Sequence, residues 1–323
     1  MRAVVCSKLA PPEELTVEER PTPPCGPDQV RIRVAAAGLN YVDGLFVQGL
    51  YQIRPEPPFV PGSELAGTIV EVGSDVVGWS LADRVIASTG LGAFCDEVVV
   101  RASQLARVPD GVDLRTAAAL GQSYCTAWFS LQRKAQLQAG DWLLVLGAAG
   151  GVGLAAMDVG KALGAQVVAV ASTPEKRALC EERGAVATID PAAGPVKDAA
   201  RAVSGGGVDV AIDPVGGQLT EQALRSLGDD GRLLIVGFAS GTIPSLPTNQ
   251  ILLRNRRVIG VDWGAWALRD PAGNAKLLAE VLALVADGTL SPIEPVEYRL
   301  EDAGRALRDL LERRVTGKAV LVP

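Results

Sequence analysis

Between residues 141 and 264 the chain repeats one pattern, a short apolar run followed by a stretch with helical spacing. The apolar runs are DWLLVLG, QVVAVAS, VATID, VDVAIDP, GRLLIVG and RRVIGVDW, and PEKRALCEERGA and LTEQALRSLG are two of the helical stretches between them. A strand that is apolar at nearly every position has no face to offer water, so both faces must be covered. Strands alternating with helices achieve this as a parallel sheet with helices packed on each side. Residues 125–265 are therefore read as an α/β, doubly wound region.

The first strand of that region runs into LLVLGAAGGVGLAAM, residues 143–157, where four closely spaced glycines separate a strand pattern from a helix pattern. Gly147, Gly150 and Gly153 give a G-x-x-G-x-x-G spacing, and Ala148 stands where the commoner G-x-G-x-x-G form has its first glycine. Glycines here let the backbone turn tightly and approach a pyrophosphate, with backbone N–H groups and the positive helix end facing it. No Lys-Ser/Thr pair follows, which excludes a nucleoside-triphosphate loop of the G-x-x-x-x-G-K-S/T kind. The next strand should end in an acid if a ribose 2′-hydroxyl is to be bound. It ends VVAVASTPEKR, with Ala171 and Ser172 at that place. Without a carboxylate to repel a 2′-phosphate, and with Ser172, Thr173, Lys176 and Arg177 to hold one, the cofactor indicated is NADPH. The alternative for Lys176 is a solvated lysine at a helix start.

The first 124 residues read differently. QVRIRVAAAG, AGTIVEVG, DRVIAS and FCDEVVVR are strand patterns broken by turns such as PTPPCGPDQ and RPEPPFVPG, with little helical spacing. After residue 264 come two helical patterns, PAGNAKLLAEVLALVADG and LEDAGRALRDLLERR, and then GKAVLVP. That last segment needs a sheet, and the β-rich region is its expected host, so residues 266–323 should complete the domain begun by residues 1–124.

Composition removes several kinds of chemistry. The chain has no histidine, which excludes His-based acid–base catalysis, Ser-His-Asp hydrolysis and His-ligated metal. Its five cysteines, Cys6, Cys25, Cys95, Cys125 and Cys180, are dispersed, so neither a disulfide framework nor a zinc knuckle is expected, and no metal site is assigned. A net charge of −6 argues against nucleic acid, and the densest basic group, Arg254, Arg256 and Arg257, reads as a solvated strand edge. No apolar segment approaches the ~20 residues of a membrane span, and the start does not read as a signal peptide, so a cytoplasmic protein without membrane contact is expected.

Taken together, AAAGLNYVDG, PGSELAGTIVEVG, GAAGGVG, DPVGG at 213–217, VGFASG at 236–241 and GKAVLVP resemble the medium-chain dehydrogenase/reductase superfamily. Within it the chain looks like the zinc-free, zeta-crystallin-like quinone oxidoreductase branch. The resemblance implies a GroES-like β-barrel domain, a Rossmann domain and a nicotinamide site in the cleft. Zinc-dependent relatives carry Gly-His-Glu where this chain has Gly62-Ser63-Glu64, and their four-cysteine lobe is missing here. The substrates implied are quinones or activated alkenes, and the assembly implied is a homodimer.

Residue by residue, the resemblance implies that Asn40 to Gly44, Asp43 included, approach the nicotinamide and that Thr126 contacts the cofactor. Gly150, Gly151 and Val152 would hold the pyrophosphate, and Ser172 and Lys176 the 2′-phosphate. Gly237, Phe238, Ala239 and Ser240 would line the nicotinamide ribose together with Asp262, Trp263 and Gly264, and Lys318 would reach back to the cofactor. Pro191 stands where relatives often place a tyrosine beside the adenosine.

Each role has a plainer counterpart. Asn40 and Asp43 can equally cap a helix; Asp213 more simply pins a loop, and Cys125 more simply fills the core. Tyr51 is either an ordinary half-buried tyrosine or a proton donor. Quinone reduction by NADPH is the first reading, enoyl-thioester or enone reduction the second, and an NADPH-binding structural or RNA-binding protein the third.

Overall fold

The computed structural model describes residues 1–323. In chain order its strands are β1 (Arg2–Val5), β2 (Thr16–Glu19), β3 (Gln29–Leu39), β4 (Glu64–Val72), β5 (Arg84–Ser88), β6 (Glu97–Arg101), β7 (Leu105–Arg107), β8 (Trp142–Leu146), β9 (Gln166–Val170), β10 (Ala187–Ile189), β11 (Val208–Asp213), β12 (Leu227–Ile235), β13 (Arg257–Gly260), β14 (Val296–Arg299) and β15 (Ala319–Val322). They divide between two compact units, Met1–Gln122 with Trp266–Pro323, and Ser123–Ala265.

In the first unit β3 is the organising strand. Its residues 29–33 pair with β6 and its residues 37–39 with β15, while β4 runs along most of its length on the other edge. The sheet order is β14-β15-β3-β4-β5-β7, with β6 attached to β3, and β1 and β2 form a separate hairpin. An eleven-residue strand that shares one edge between two partners lets a small sheet curl toward closure, in the manner of a GroES-like barrel. The core beneath it is Ile32, Leu39, Leu65, Ile69 and Phe94, all fully buried. The segment GKAVLVP joins this sheet as expected, antiparallel to β3 with Val320 opposite Gly38.

The second unit holds six parallel strands in the order β10-β9-β8-β11-β12-β13. Counted from its own first strand this is 3-2-1-4-5-6, the dinucleotide-binding order, with its reversal between β8 and β11. Leu143 to Leu146 and Val167 to Ala169 have no exposed surface, which explains their uninterrupted apolar sequence.

Two expectations need correction. The region before residue 124 is less purely β than its sequence implies, since it contains α1 (Tyr41–Gln48) and the start of α2 (Leu114–Trp128). Ala117 to Tyr124 are almost entirely buried, apart from Gln122, so no polar face marks the helix in the sequence. The group Arg254, Arg256 and Arg257 is not uniformly solvated, because Arg256 is only 6% exposed. Its guanidinium donates to the carbonyls of Leu227 at 2.8 Å and Gln250 at 3.1 Å, tying β12 to the segment before β13. No helix is long and apolar enough to cross a membrane.

Candidate active site

The glycine loop lies at the C-terminal end of β8. Gly147 has φ +60°, and a Cβ there would come within 2.9 Å of Val215 Cγ2, so both conformation and space call for glycine. Ala148 donates to Val170 O at 3.0 Å and Gly150 to Gly147 O at 3.0 Å, which folds the loop back on the sheet. Gly150 is the N-cap of α3 (Gly151–Ala162) and is exposed. A Cβ on Gly153 would lie 2.3 Å from Gly147 O, so only glycine lets this helix settle on its loop. The first-turn N–H groups of Gly151, Val152 and Gly153 have no carbonyl partner within the helix and leave a partial positive charge at its start.

The loops after β11 and β12 are laced together. Ala239 and Ser240 donate to the carbonyls of Pro214 and Val215 at 3.1 and 2.8 Å. Asp213 is buried and accepts from Val215 N–H and Gly216 N–H, both at 2.8 Å, and from Thr220 Oγ1 at 2.6 Å. Asp213 thus pins a loop. This presents Gly237, Phe238, Ala239 and Ser240 at the end of β12, partly accessible or, for Ser240, exposed.

At the end of β9, Ala171 and exposed Ser172 stand where the acid would be, and the first carboxylate is that of Glu175 in the first turn of the next helix. Thr173 caps α4 (Pro174–Glu182), its Oγ1 accepting from Lys176 N–H at 3.3 Å, so its oxygen is already engaged. Arg177 is not available as a bare positive charge: it donates to Ala171 O at 3.1 Å and pairs with Asp190 at 3.0 Å. Asp262 accepts from Ala265 N–H at 3.0 Å and so caps the helix Trp263–Arg269, beside exposed Gly264. Trp263 is buried with its indole N–H unpartnered. Thr126 is buried in α2, its carbonyl accepting from Ser130 Oγ at 2.6 Å.

The first unit contains a denser cluster, centred on Glu64 at the start of β4. The β3–β4 register places Glu64 opposite Gly38, and Lys318 immediately precedes β15 on the far side of β3. Glu64 Oε1 accepts from Lys318 Nζ at 2.9 Å and from Asn40 Nδ2 at 2.8 Å, and Oε2 accepts from Gln122 N–H at 2.6 Å. Lys318 Nζ also donates to Asn40 Oδ1 at 2.5 Å and to Leu39 O at 2.9 Å. An ammonium has three donors, and all three are taken here. Within this unit the donors of Lys318 are therefore all engaged.

Asn40 and Asp43 open α1. Asn40 N–H donates to Asp43 Oδ2 at 2.8 Å, a capping arrangement, yet both side chains also belong to the cluster. Asp43 has no exposed surface, and burial pushes its carboxyl up to about 7. The Asn40 N–H, the charge of Lys318 and the Ser63 hydroxyl pull it down, while the charge of Glu64 pushes it further up. Its Oδ1 lacks a partner at hydrogen-bonding distance. Ser63 Oγ donates to Gln122 Oε1 at 3.2 Å. Tyr51 sits beyond the C-terminal end of α1, its ring edge-on to Phe46 with centroids 5.1 Å apart.

Sequence reasoning named Asn40, Asp43 and Lys318 but assigned no role to Glu64 or Gln122. The available signal was a glutamate opening the apolar strand ELAGTIV, together with Gly38 at the end of AAAGL. A Cβ on Gly38 would lie 2.4 Å from Glu64 Oε1, and one on Gly121 would lie 2.6 Å from Oε2.

Residues 26–110 match the alcohol dehydrogenase GroES-like domain family and residues 151–284 the zinc-binding dehydrogenase family. No three His, Cys, Asp or Glu side chains lie close enough to hold a metal ion. The chain is 37% identical to quinone oxidoreductase-like protein 2 of Rattus norvegicus over 99% of its length and 91% of that protein's. Among solved structures it superposes on the Thermus thermophilus quinone oxidoreductase with a TM-score of 0.87 at 34% identity, covering 100% of both chains. It superposes on the Escherichia coli quinone oxidoreductase complexed with NADPH with a TM-score of 0.91 at 27% identity, again covering 100% of both. With its GroES-like barrel, its 3-2-1-4-5-6 sheet and a serine where a zinc ligand would stand, the chain belongs to the medium-chain dehydrogenase/reductase superfamily, in its zinc-free quinone oxidoreductase branch.

Proposed function

We propose that this protein is an NADPH-dependent oxidoreductase that reduces quinones without a metal. The observation that carries the reading is the end of β9, where an exposed serine and a lysine-bearing helix start replace the carboxylate that would reject a 2′-phosphate. The donor set fits the cofactor: backbone N–H groups at Gly151 to Gly153 suit a pyrophosphate, and Ser172 with Lys176 suits a phosphate on the adenosine ribose. Gly237 to Ser240 and Asp262 to Gly264 are proposed to take the nicotinamide ribose.

NADPH, when bound, supplies the hydride. The protein's own part is orientation and exclusion of water. The cluster around Asn40 holds amide and hydroxyl groups in fixed positions, which suits a carbonyl oxygen that must be held while hydride arrives. A reduced quinone collects its protons from water, so no protein acid is required. Reduction of an alkene needs a proton at carbon, for which the Tyr51 hydroxyl is the candidate donor.

Following NADPH absorbance against quinones, enones and enoyl-thioesters tests the reading. Quinones are expected to be turned over fastest, and Tyr51→Phe is expected to slow them by less than about tenfold, or ~1.4 kcal/mol. Faster turnover of an enoyl-thioester, with a hundredfold loss in Tyr51→Phe, would move the assignment to alkene reduction. Failure with every acceptor would leave a binding protein.

A homodimer is part of the same proposal. β13 is the outermost strand of its sheet, and Val258 on it is exposed, as are Ile243, Leu252 and Leu253 before it. An open strand edge with apolar neighbours favours pairing with a second copy across a two-fold axis. Sedimentation at micromolar concentration should give the dimer, and a monomer would count against it.

A further inference from the structure

The polar cluster of the first unit is closed around Lys318 and Glu64. Every donor of Lys318 has an acceptor, and both oxygens of Glu64 are occupied. Neither group is free to meet a ligand. Their common neighbour is the Asn40 amide, which each touches at one end.

An asparagine amide carries one acceptor and two donors on ends of nearly equal size, so its orientation is set only by neighbours that discriminate between them. Here the discrimination is complete. Lys318, which can only donate, lies 2.5 Å from Oδ1, and Glu64, acting as an acceptor, lies 2.8 Å from Nδ2. Turning the amide over would set its NH2 against an ammonium and its oxygen against a carboxylate. Both bonds present are charge-assisted, the strong kind. The second Nδ2 hydrogen is left facing Ser63 Oγ at 3.4 Å, a separation at which it is barely held.

A stabilising role alone explains this poorly. A buried ion pair seldom adds stability over apolar residues of similar volume, because desolvating two charges offsets their attraction. Room for the carboxylate also depends on Gly121, where a Cβ would lie 2.6 Å from Oε2. We infer that Glu64 and Lys318 are a positioning pair that fixes the Asn40 amide with Oδ1 turned inward and one Nδ2–H left for the reacting acceptor. The inference rests on the reading of Asn40 as a residue that serves the acceptor. Lys318 acts through Asn40 and touches no cofactor.

A cycle of variants in the full-length protein tests this: Glu64→Gln, Lys318→Met, Asn40→Ala, and each of the first two combined with the third. Turnover is measured with an acceptor that the unmodified protein reduces, and NADPH affinity by nicotinamide fluorescence. Glu64→Gln and Lys318→Met are expected to lower kcat at least tenfold while leaving NADPH affinity within about twofold. In the Asn40→Ala background the same changes should alter kcat by less than about threefold. An undiminished further loss in that background overturns the inference, as does weakened NADPH binding with kcat unchanged, which would make Lys318 a cofactor ligand. Glu64→Gln preserves shape and carries the cycle alone should Lys318→Met fail to fold. If the unmodified protein reduces no acceptor, the proposed activity fails, and the pair is tested by the Asn40 side-chain amide in NMR. Its hydrogens should exchange slowly in the unmodified protein and quickly in Glu64→Gln; fast exchange in both would refute the positioning role.

Discussion

From Gly147 to Gly153 the loop after β8 contains no side chain larger than valine, whereas the cluster at the start of β4 is made almost wholly of long polar side chains. The loop binds with backbone, and its requirement is that side chains stay away. Gly147 and Gly153 sit where a Cβ would strike Val215 and Gly147 O respectively. The cluster uses glycines for a different end, since Gly121 clears room for a carboxylate and Gly38 for that carboxylate and the Ala118 carbonyl. One site is local and written in seven consecutive residues. The other gathers Gly38, Asn40, Asp43, Ser63, Glu64, Gln122 and Lys318 from four stretches of chain, and it exists only once β3, β4 and β15 are in register.

The largest test of this contrast is Lys318→Met. Removing one member of a buried pair strands the other, at a cost of about 3–5 kcal/mol. Urea unfolding should show that loss, and Glu64→Gln/Lys318→Met should recover part of it. If Lys318→Met unfolds at the same urea concentration as the unmodified protein, the cluster is not closed as described.

Next comes pH. The ordinary Asp43 value of 3.8 rises to about 7 in the folded chain, so between these values the folded state holds a proton that the unfolded state has released. Stability should therefore fall as pH rises from about 4 to about 7 and level off above, by roughly 2–4 kcal/mol in total. Glu13 acts in a separate window. Arg308 holds it down to about 2 from 4.5, so its contribution is lost only as pH falls below the ordinary glutamate range. Unfolding curves at intervals from pH 4.5 to 8 should show the Asp43 slope, and Asp43→Asn should flatten it. A slope unchanged in Asp43→Asn would assign it to other groups.

The smallest expected effect separates two glycines of the loop. Gly153→Ala forces a methyl against backbone and should cost about 1–3 kcal/mol. At Gly150 the nearest atom to a Cβ is Gly147 O at 3.3 Å, and φ is an ordinary −83°, so Gly150→Ala should cost less than about 1 kcal/mol. Because Gly150 is exposed at the helix end, the same methyl should still weaken NADPH binding. Equal thermal stability of the two variants would contradict the packing role of Gly153.

How much of this could be read from the sequence follows from the same contrast. The strands of the second unit and its loop are legible because burial on both faces and freedom from Cβ leave marks in neighbouring residues. Asn40 and Asp43 are visible in the sequence only as a pair with two readings; the structure shows the capping of α1, with the Asn40 amide also bonded to Glu64. A lone glutamate in a strand normally marks a solvent face, so nothing local in the sequence reports the buried role of Glu64. Its partner Lys318 lies 254 residues away, at a separation that no local pattern reports. The buried helix α2 escaped notice for the related reason that a helix without a polar face has no period to detect.

The edge of β3 shared by β6 and β15 bears on the order in which the chain can take shape during synthesis. All six strands of the second unit lie within one unbroken stretch and are present once residue 265 has been made. The first unit begins earlier, but residues 37–39 of β3 keep an open edge until residues 319–321 emerge to cover it. Domains usually fold as units from the N-terminal side of a growing chain. Here the later-made unit has its complete sheet first, and the earlier one waits. A nascent chain that has not reached residue 318 carries Glu64 without its cation, so the carboxylate at the start of β4 stays uncompensated until the last strand is made.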